Sequence, residues 1–444
     1  MILNENEAKK FLEKVLQYSK ADSISLTLNG FNNYNLRFAL NSLSTNGLAD
    51  GLSLSITSDI GKKSGSVRLD NFEGDSIKKA VEKSELIAKL SPENKEFMPL
   101  LEPQTYLKGV NFSKDTENIT VKERAELIKP VIDKSVSSQL KSAGYFEDNV
   151  EFNAILNSNG LFAYNLGSLA GFSCTSRTPD GTGSSRVQTQ NINVNAIKTK
   201  SLGDRVTERA ALSAKPKELK PGKYTVILEP SAAADMIAYC TYFMDSRTAD
   251  EGRSFFSKQG GGNKIGEELV NSKVTIYSDP IDPKAPGIPF TYDGYPREKT
   301  VWFEKGVLKN LARGRFWAEK TGQPVVPYYA NLIMEGSDKT LDEMIASSDK
   351  AILVTRFWYI RSVDPRTVLL TGLTRDGVFE ISNGKITGAV KNFRFNDSPV
   401  NVLKNVIEIG KAENAVGGET GDLQMYVPPL KVKDFYFSSL SDAI

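Results

Sequence analysis

The chemistry open to this chain is set first by a residue it lacks. Cysteines, carboxylates, glycine-rich loops and arginines are all present, but none of the 444 residues is a histidine. Histidine is the commonest metal ligand and the one side chain that titrates near neutrality without help. Ser-His-Asp and Cys-His catalysis are therefore excluded, and a catalytic zinc would have to be held by carboxylates and two cysteines. Cys240 falls among Met236, Ile237, Tyr239, Phe243 and Met244. An activated thiol needs a nearby cation or a helix N-terminus, so a mid-helix apolar setting predicts a small buried hydrophobe. Cys174, in an alternating strand pattern, reads the same way. Asp279 and Asp282 sit beside Pro280 and Pro283; two carboxylates could hold a hard cation, but the prolines more simply make a rigid turn. Gly252 to Gly262 carries four glycines, yet fits neither the Walker spacing nor a dinucleotide fingerprint, and reads as a flexible loop. The run Arg356-Phe357-Trp358-Tyr359-Ile360-Arg361 has two open readings: a peptide groove using Arg356, Trp358, Tyr359 and Arg361, or core residues alternating with exposed arginines.

Composition narrows the classes further. Fifty-six Lys and Arg against 54 Asp and Glu leave a charge of +2, which gives no wide basic field and makes nucleic acid an unexpected partner. Two cysteines far apart form no disulfide framework, so reduced thiols and a cytoplasmic setting are expected. The first twenty residues lack the apolar core of a signal peptide, and no stretch approaches the ~20 apolar residues of a membrane span.

The elements that must position these residues follow from periodicity. Ala8, Phe11, Leu12, Val15 and Leu16 fall on one helical face behind an Asn4/Glu7 capping pair. Ser23 to Asn71 reads as short antiparallel strands punctuated by Gly47, Gly51, Gly61 and Gly65. Helices are expected from Asp75 to Leu90 and from Thr120, whose capping partner is Glu123 and which Pro130 kinks or ends. Beyond Ser142 strands return, with a hairpin through Asn157 to Gly160 and a loop from Thr178 to Ser185. Lys215 to Pro221 breaks both periodicities and divides the chain into residues 1–215 and 222–444. The second half is expected to hold a helix at Ser231 to Met244, short helices at Leu341 to Ser347 and Val400 to Asn405, and strands at Lys223–Leu228, Lys273–Ser278, Thr300–Glu304, Val307–Leu311, Ala351–Phe357, Val378–Ile381 and Lys385–Val390. Ser382-Asn383-Gly384 is a type I′ hairpin signal. The fold class is α+β: an N-terminal α/β domain with an antiparallel sheet under helices, then a β-rich, barrel-like domain.

The order of segments resembles the TldD/PmbA family, a group related to zinc metallopeptidases and once called modulators of DNA gyrase. The resemblance spans about Asn35 to Phe437. It rests on Gly252-Arg253-Ser254-Phe255 with the glycines that follow, Gly287-Ile288-Pro289-Phe290-Thr291-Tyr292-Asp293-Gly294, the stretch Thr300 to Lys309, and Phe379 to Thr387. It implies dimers enclosing a cavity. The TldD-type subunit is implied to bind zinc through His-Glu-x-x-x-His and a C-terminal cysteine and to act on unfolded peptides, whereas the PmbA (TldE) type lacks those ligands and pairs with the active subunit. Counted back from Ser254, the zinc-helix positions fall on Ile237, Ala238 and Tyr242, and Ala415 to Leu423 contains no cysteine. The resemblance therefore implies a zinc-free pseudoenzyme with no cofactor and no catalytic or metal residue. Its expected partners are a zinc-bearing TldD-like subunit, or a second copy of itself in a stand-alone peptide-binding or scaffold homodimer. A third reading keeps activity through Cys240 or a carboxylate-bound metal.

Overall fold

The structure is a computed structural model and describes residues 1–442. In the N-terminal part the elements run α1 (Glu5–Leu16), β1 (Ser23–Ala39), β2 (Ser42–Ile60), β3 (Lys63–Leu69), α2 (Ser76–Leu90), α3 (Lys114–Glu117), α4 (Val121–Ser137), β4 (Lys141–Asn157), β5 (Phe162–Arg177), β6 (Ser184–Asn191) and α5 (Thr199–Leu212). The six strands form one antiparallel sheet in the order β3-β2-β1-β4-β5-β6. Successive side chains on a strand point to opposite faces. Leu26, Leu28, Leu54, Ile56 and Phe152 thus meet α1 and α2, while Leu36, Phe38, Phe146 and Phe172 meet Ile128, Val131 and Val206 of α4 and α5. These are two cores laid end to end on one face, and the other face turns toward the rest of the chain.

The turns and helices differ from expectation in several places. Gly47 and Gly51 are not turns but lie inside the 19-residue β2. Each lets a cross-strand side chain lie over the backbone: a Cβ on Gly51 would come 2.8 Å from the Phe31 ring, and one on Gly47 2.9 Å from the Asn35 amide. The chain reverses instead at Leu40-Asn41, both in the left-handed region with φ of 50° and 62°. Helix α4 runs through Pro130 without ending. Helix α5 was not anticipated, and the loop expected at Thr178 to Ser185 gives way to β6 at Ser184.

The C-terminal part contains β7 (Gly222–Leu228), α6 (Pro230–Tyr242), α7 (Ser246–Asp250), β8 (Ile276–Ser278), β9 (Thr300–Glu304), β10 (Val307–Leu308), α8 (Arg315–Thr321), β11 (Asn331–Met334), α9 (Leu341–Ala346), β12 (Lys350–Val354), β13 (Phe357–Asp364), β14 (Leu369–Thr374), β15 (Val378–Ser382), β16 (Lys385–Ala389), β17 (Phe393–Asp397), α10 (Pro399–Lys404), β18 (Val406–Ile409), β19 (Glu413–Asn414), β20 (Gln424–Val427) and β21 (Leu430–Leu440). A nine-stranded sheet runs β13-β14-β17-β21-β7-β12-β15-β16 with β18 beside β21, and curls into a half-barrel; a second sheet runs β10-β9-β8-β11-β20-β19. Their shared core includes Val226, Met236, Ile237, Cys240, Phe357 and Phe393. Asn383 and Gly384 have φ of 49° and 74°, as the type I′ signal requires. The single strand expected over Ala351 to Phe357 is broken into β12 and β13 at Thr355-Arg356, and that break points Arg356 out of the sheet ladder. The strands expected from Lys273 and to Leu311 are shorter, starting at Ile276 and ending at Leu308.

Candidate functional site

Helix α6 opens with Pro230, whose missing N–H costs nothing in a first turn. It is apolar nearly all round, which is the pattern of a helix buried inside a protein: Ala232, Ala233, Ala234, Met236, Ile237 and Cys240 have no exposed surface. One charge interrupts that run. Asp235 is fully buried, and its carboxylate accepts N–H bonds from Gly418 at 3.0 Å and Glu419 at 3.1 Å. Burial pushes its carboxyl up to about 7, against the opposing pull of those two amides and of the Arg356 charge. The close approach needs glycine: a Cβ on Gly417 would lie 2.4 Å from Asp235 Oδ1, and one on Gly418 2.5 Å from the Phe357 carbonyl oxygen. Ser231 Oγ adds a bond to the Val416 carbonyl at 2.7 Å.

The helix and the C-terminal stretch Ala415 to Leu423 are thus neighbours, joined by a carboxylate and two amides. The zinc-helix positions contribute no donor to that junction. Ile237 is packed in the core, Ala238 is half-buried, and Tyr242 is 68% exposed with its ring edge-on to Phe243. Among the described residues no three His, Cys, Asp or Glu side chains gather as a metal site would require. A zinc ion does not fit this donor set. Burial pushes the Cys240 thiol up to about 12 and the Cys174 thiol to about 11, and neither forms a disulfide. A thiol held protonated is a poor nucleophile.

The aromatic run divides its side chains. Phe357 and Ile360 are buried, and Phe357 stacks on Phe435 with ring centroids 5.7 Å apart. Arg356 pairs with Asp376 at 3.1 Å, and Asp376 also accepts from Ser184 Oγ at 2.8 Å. Trp358 lies under the Arg375 guanidinium at 4.1 Å. Tyr359 is exposed and held at φ 54° in a bulge of β13, a conformation unusual for a bulky residue. Arg361 covers the Tyr359 ring at 4.0 Å and lies 3.6 Å from Glu419. Glu419 in turn accepts from Ile360 N at 3.2 Å, and Tyr239 donates to the Ile360 carbonyl at 3.2 Å. The run therefore divides into an outward face of Trp358, Tyr359 and Arg361 and a core of Phe357 and Ile360.

Two other motifs settle on their simpler readings. Asp279 and Asp282 each accept an N–H two residues on, from Ile281 and Lys284, which is an Asx-turn pair. Gly252, Gly260, Gly261 and Gly262 all have positive φ with open space where a side chain would stand, as a turning surface loop demands.

Between the two parts lies a cavity of about 390 Å³. Period-2 alternation on β6 sends Val187 into the helix-covered core and Arg186 and Gln188 to the opposite face. There they meet the start of α6, Thr355-Arg356 and the 413–416 segment. Gln188 Nε2 donates to the Val416 and Gly417 carbonyls at 3.1 and 3.0 Å, and Gln190 Nε2 to Leu423 O at 3.0 Å. Arg209 from α5 pairs with Glu229 at 2.6 Å on the cavity wall.

Fold and junction together define a two-part α+β protein in which a buried helix of the second part meets a C-terminal glycine-containing loop. Residues 221–439 match the PmbA/TldA metallopeptidase C-terminal domain, and residues 110–214 match the PmbA/TldA metallopeptidase central domain. The chain belongs to the PmbA/TldD family. A curated relative, a metalloprotease of Methanothermobacter thermautotrophicus, is 24% identical over 230 residues, 47% of each chain; the match spans about half the length of that relative. The fold is also that of TldE from Thermococcus kodakarensis, with a TM-score of 0.85 and 17% identity over 97% of this chain and 99% of that one. A proposed modulator of DNA gyrase from Bacteroides thetaiotaomicron gives a TM-score of 0.84 at 20% identity over 99% and 100% of the two chains.

Asp235 escaped the sequence reading, which counted positions on α6 only for missing zinc ligands. Two signals could have found it: one charge inside Ala232-Ala233-Ala234-Asp235-Met236-Ile237, and the Gly417-Gly418 pair in the partner loop. A carboxylate in so apolar a helix needs donors from elsewhere.

Proposed function

We propose that this chain is a non-catalytic subunit that assists a zinc-bearing TldD-like paralogue in the proteolysis of unfolded peptides. The observation that carries the reading is the donor set at the junction of α6 with Ala415 to Leu423: Ile237, Ala238 and Tyr242 offer no metal ligand, and that loop has no cysteine. The metallopeptidase family and the likeness to a TldE support it. On this reading the outward residues Trp358, Tyr359 and Arg361, with Arg356 behind them, line the groove for an extended peptide. Residues 1–215 and 222–444 act as two domains, a division supported by sheets that do not mix strands across the boundary among the described residues. Two unpaired buried thiols support a reducing, cytoplasmic setting. The test is reconstitution: mixed with a zinc-bearing relative from the same organism, the purified chain should co-elute with it and raise its peptidase activity on an unfolded substrate. No complex, or activity unchanged by the added chain, would overturn the proposal.

A second reading, a stand-alone homodimeric peptide-binding or scaffold protein, draws support from the outer edge of β2. Strand β3 pairs only from Leu54 onward, so among the described residues Ser42 to Ser53 presents an unpaired outer edge, with Leu43 and Leu48 exposed. A stable dimer mass for the isolated protein, with no affinity for a zinc-bearing relative, is the result that reading requires.

A further inference from the structure

The cavity between the two parts has a charge imbalance that the protein does not resolve internally. Its described lining residues include five cations, Arg186, Lys198, Arg205, Arg209 and Arg356, and two carboxylates, Glu229 and Glu413. Arg209 and Glu229 cancel at 2.6 Å. Arg356 draws on Asp376 at 3.1 Å, but Asp376 also lies 3.9 Å from Arg375 and accepts from Ser184, so one carboxylate already serves two guanidiniums. Arg186 has only neutral partners, Gln188 Oε1 at 3.1 and 3.2 Å and Thr175 Oγ1 at 3.4 Å, with no carboxylate within ion-pairing distance among the described residues. Burial disfavours the charged forms of both Arg186 and Arg356, and the Arg186 and Arg375 charges press further on Arg356, while the Asp376 carboxylate opposes this at both arginines. A guanidinium is not deprotonated in a protein, so both arginines keep their charge and an anion in the cavity would be attracted by each.

We propose that this cavity binds an oxyanion, a carboxylate or a phosphate, held between Arg186 and Arg356 with Arg205 at its rim. Guanidinium groups present paired N–H donors matched to such oxygens, and the volume of about 390 Å³ lies in the range of small-molecule pockets. Gln188 commits its amide N–H groups to the 416–417 carbonyls, so the side-chain donors left to face the cavity are mainly the cationic ones. The inference is independent of whether the chain has a zinc-bearing partner.

Isothermal titration and thermal unfolding of the full chain test it, at constant ionic strength, with three probes: inorganic phosphate, an N-acetylated tripeptide acid, and the same tripeptide as its C-terminal amide. Saturable binding of phosphate or of the acid, with none of the amide, is expected. Preference for the acid identifies a peptide end as the source of the anion; preference for phosphate identifies a phosphorylated compound. Arg186→Gln should weaken the bound probe by about tenfold or more, as loss of a charged hydrogen bond does. Arg205 is exposed on α5, so Arg205→Glu should fold normally and weaken binding several-fold, and it keeps the test decisive if the first variant is unstable. Equal binding of acid and amide, no saturable binding of either anion, or unchanged affinity in Arg205→Glu would overturn the proposal.

Discussion

Two arginines, the buried Arg124 in one part of the molecule and the partly buried Arg356 in the other, are neutralised in different ways. Arg124 of α4 is 2% exposed and meets Asp148 of β4 through Nε and Nη2, the latter at 2.8 Å, with the Tyr34 ring 4.5 Å from its guanidinium. It is a closed pair, one cation to one carboxylate, inside a sheet whose β4–β5 register runs unbroken over sixteen residues. Arg356 stands where β12 breaks from β13, shares Asp376 with Arg375, and faces Arg186 across a cavity. The Arg124–Asp148 pair is one cation to one carboxylate within regular structure, whereas at the cavity beside the β12–β13 break two guanidiniums draw on one carboxylate. Closed pairs hold a fold together; open ones leave a site ready for something else.

The comparison can be broken most forcefully from its closed side. Arg124→Met would strand Asp148 in the core, and denaturant unfolding should show a loss of about 3–5 kcal/mol. Asp376→Asn acts on the open side. Asp376 sits at φ 56°, a conformation asparagine tolerates. Because its cations face a cavity and not a sealed core, the loss should be smaller, about 1–3 kcal/mol, and phosphate or peptide-acid affinity should rise in the same protein. A comparable or smaller loss, about 1–3 kcal/mol, is expected for Gly418→Ala, whose Cβ would lie 2.5 Å from the Phe357 carbonyl. Gly388→Ala on β16, where a Cβ meets nothing within 4 Å, should change stability by less than ~0.5 kcal/mol, which separates crowding from a general intolerance of the sheet.

A separate test concerns pH. The Asp235 carboxyl is raised from 3.8 to about 7 by burial, so between those values the folded state holds a proton the unfolded chain has released. Stability from this group is complete below about pH 4 and declines as pH climbs to about 7. Asp235→Asn should flatten that decline in unfolding free energy measured from pH 4 to 8; an unaltered slope would remove Asp235 as its source.

What the sequence disclosed was local. Asn4 with Glu7, Thr120 with Glu123 and Thr340 with Glu343 each form the reciprocal cap their spacing announced, because a capping box depends on four consecutive residues. Cys240 is as buried as its neighbours implied. The α+β class, with an antiparallel sheet first and a curled β-rich part after it, was legible from the change in periodicity and from the resemblance. Long-range reasons were not. Gly47 and Gly51 look like punctuation until Asn35 and Phe31 are seen lying across them on the neighbouring strand. Helix α5 was hidden by Gly203, which is there to let the backbone approach Val131 of α4, where a Cβ would be 3.2 Å away. Arg186 and Arg356 lie 170 positions apart, so no window of sequence could have shown that they share a cavity.

The glutamines of β6 carry a mechanical implication. Gln188 and Gln190 grip the carbonyls of Val416, Gly417 and Leu423 on either side of the amides that hold Asp235. A tilt of the six-stranded sheet against the half-barrel would drag that loop with it, and the loop would pull on the buried helix. The N-terminal sheet is thus tied to the buried helix through one short loop, by two glutamine side chains on one side and two backbone amides on the other.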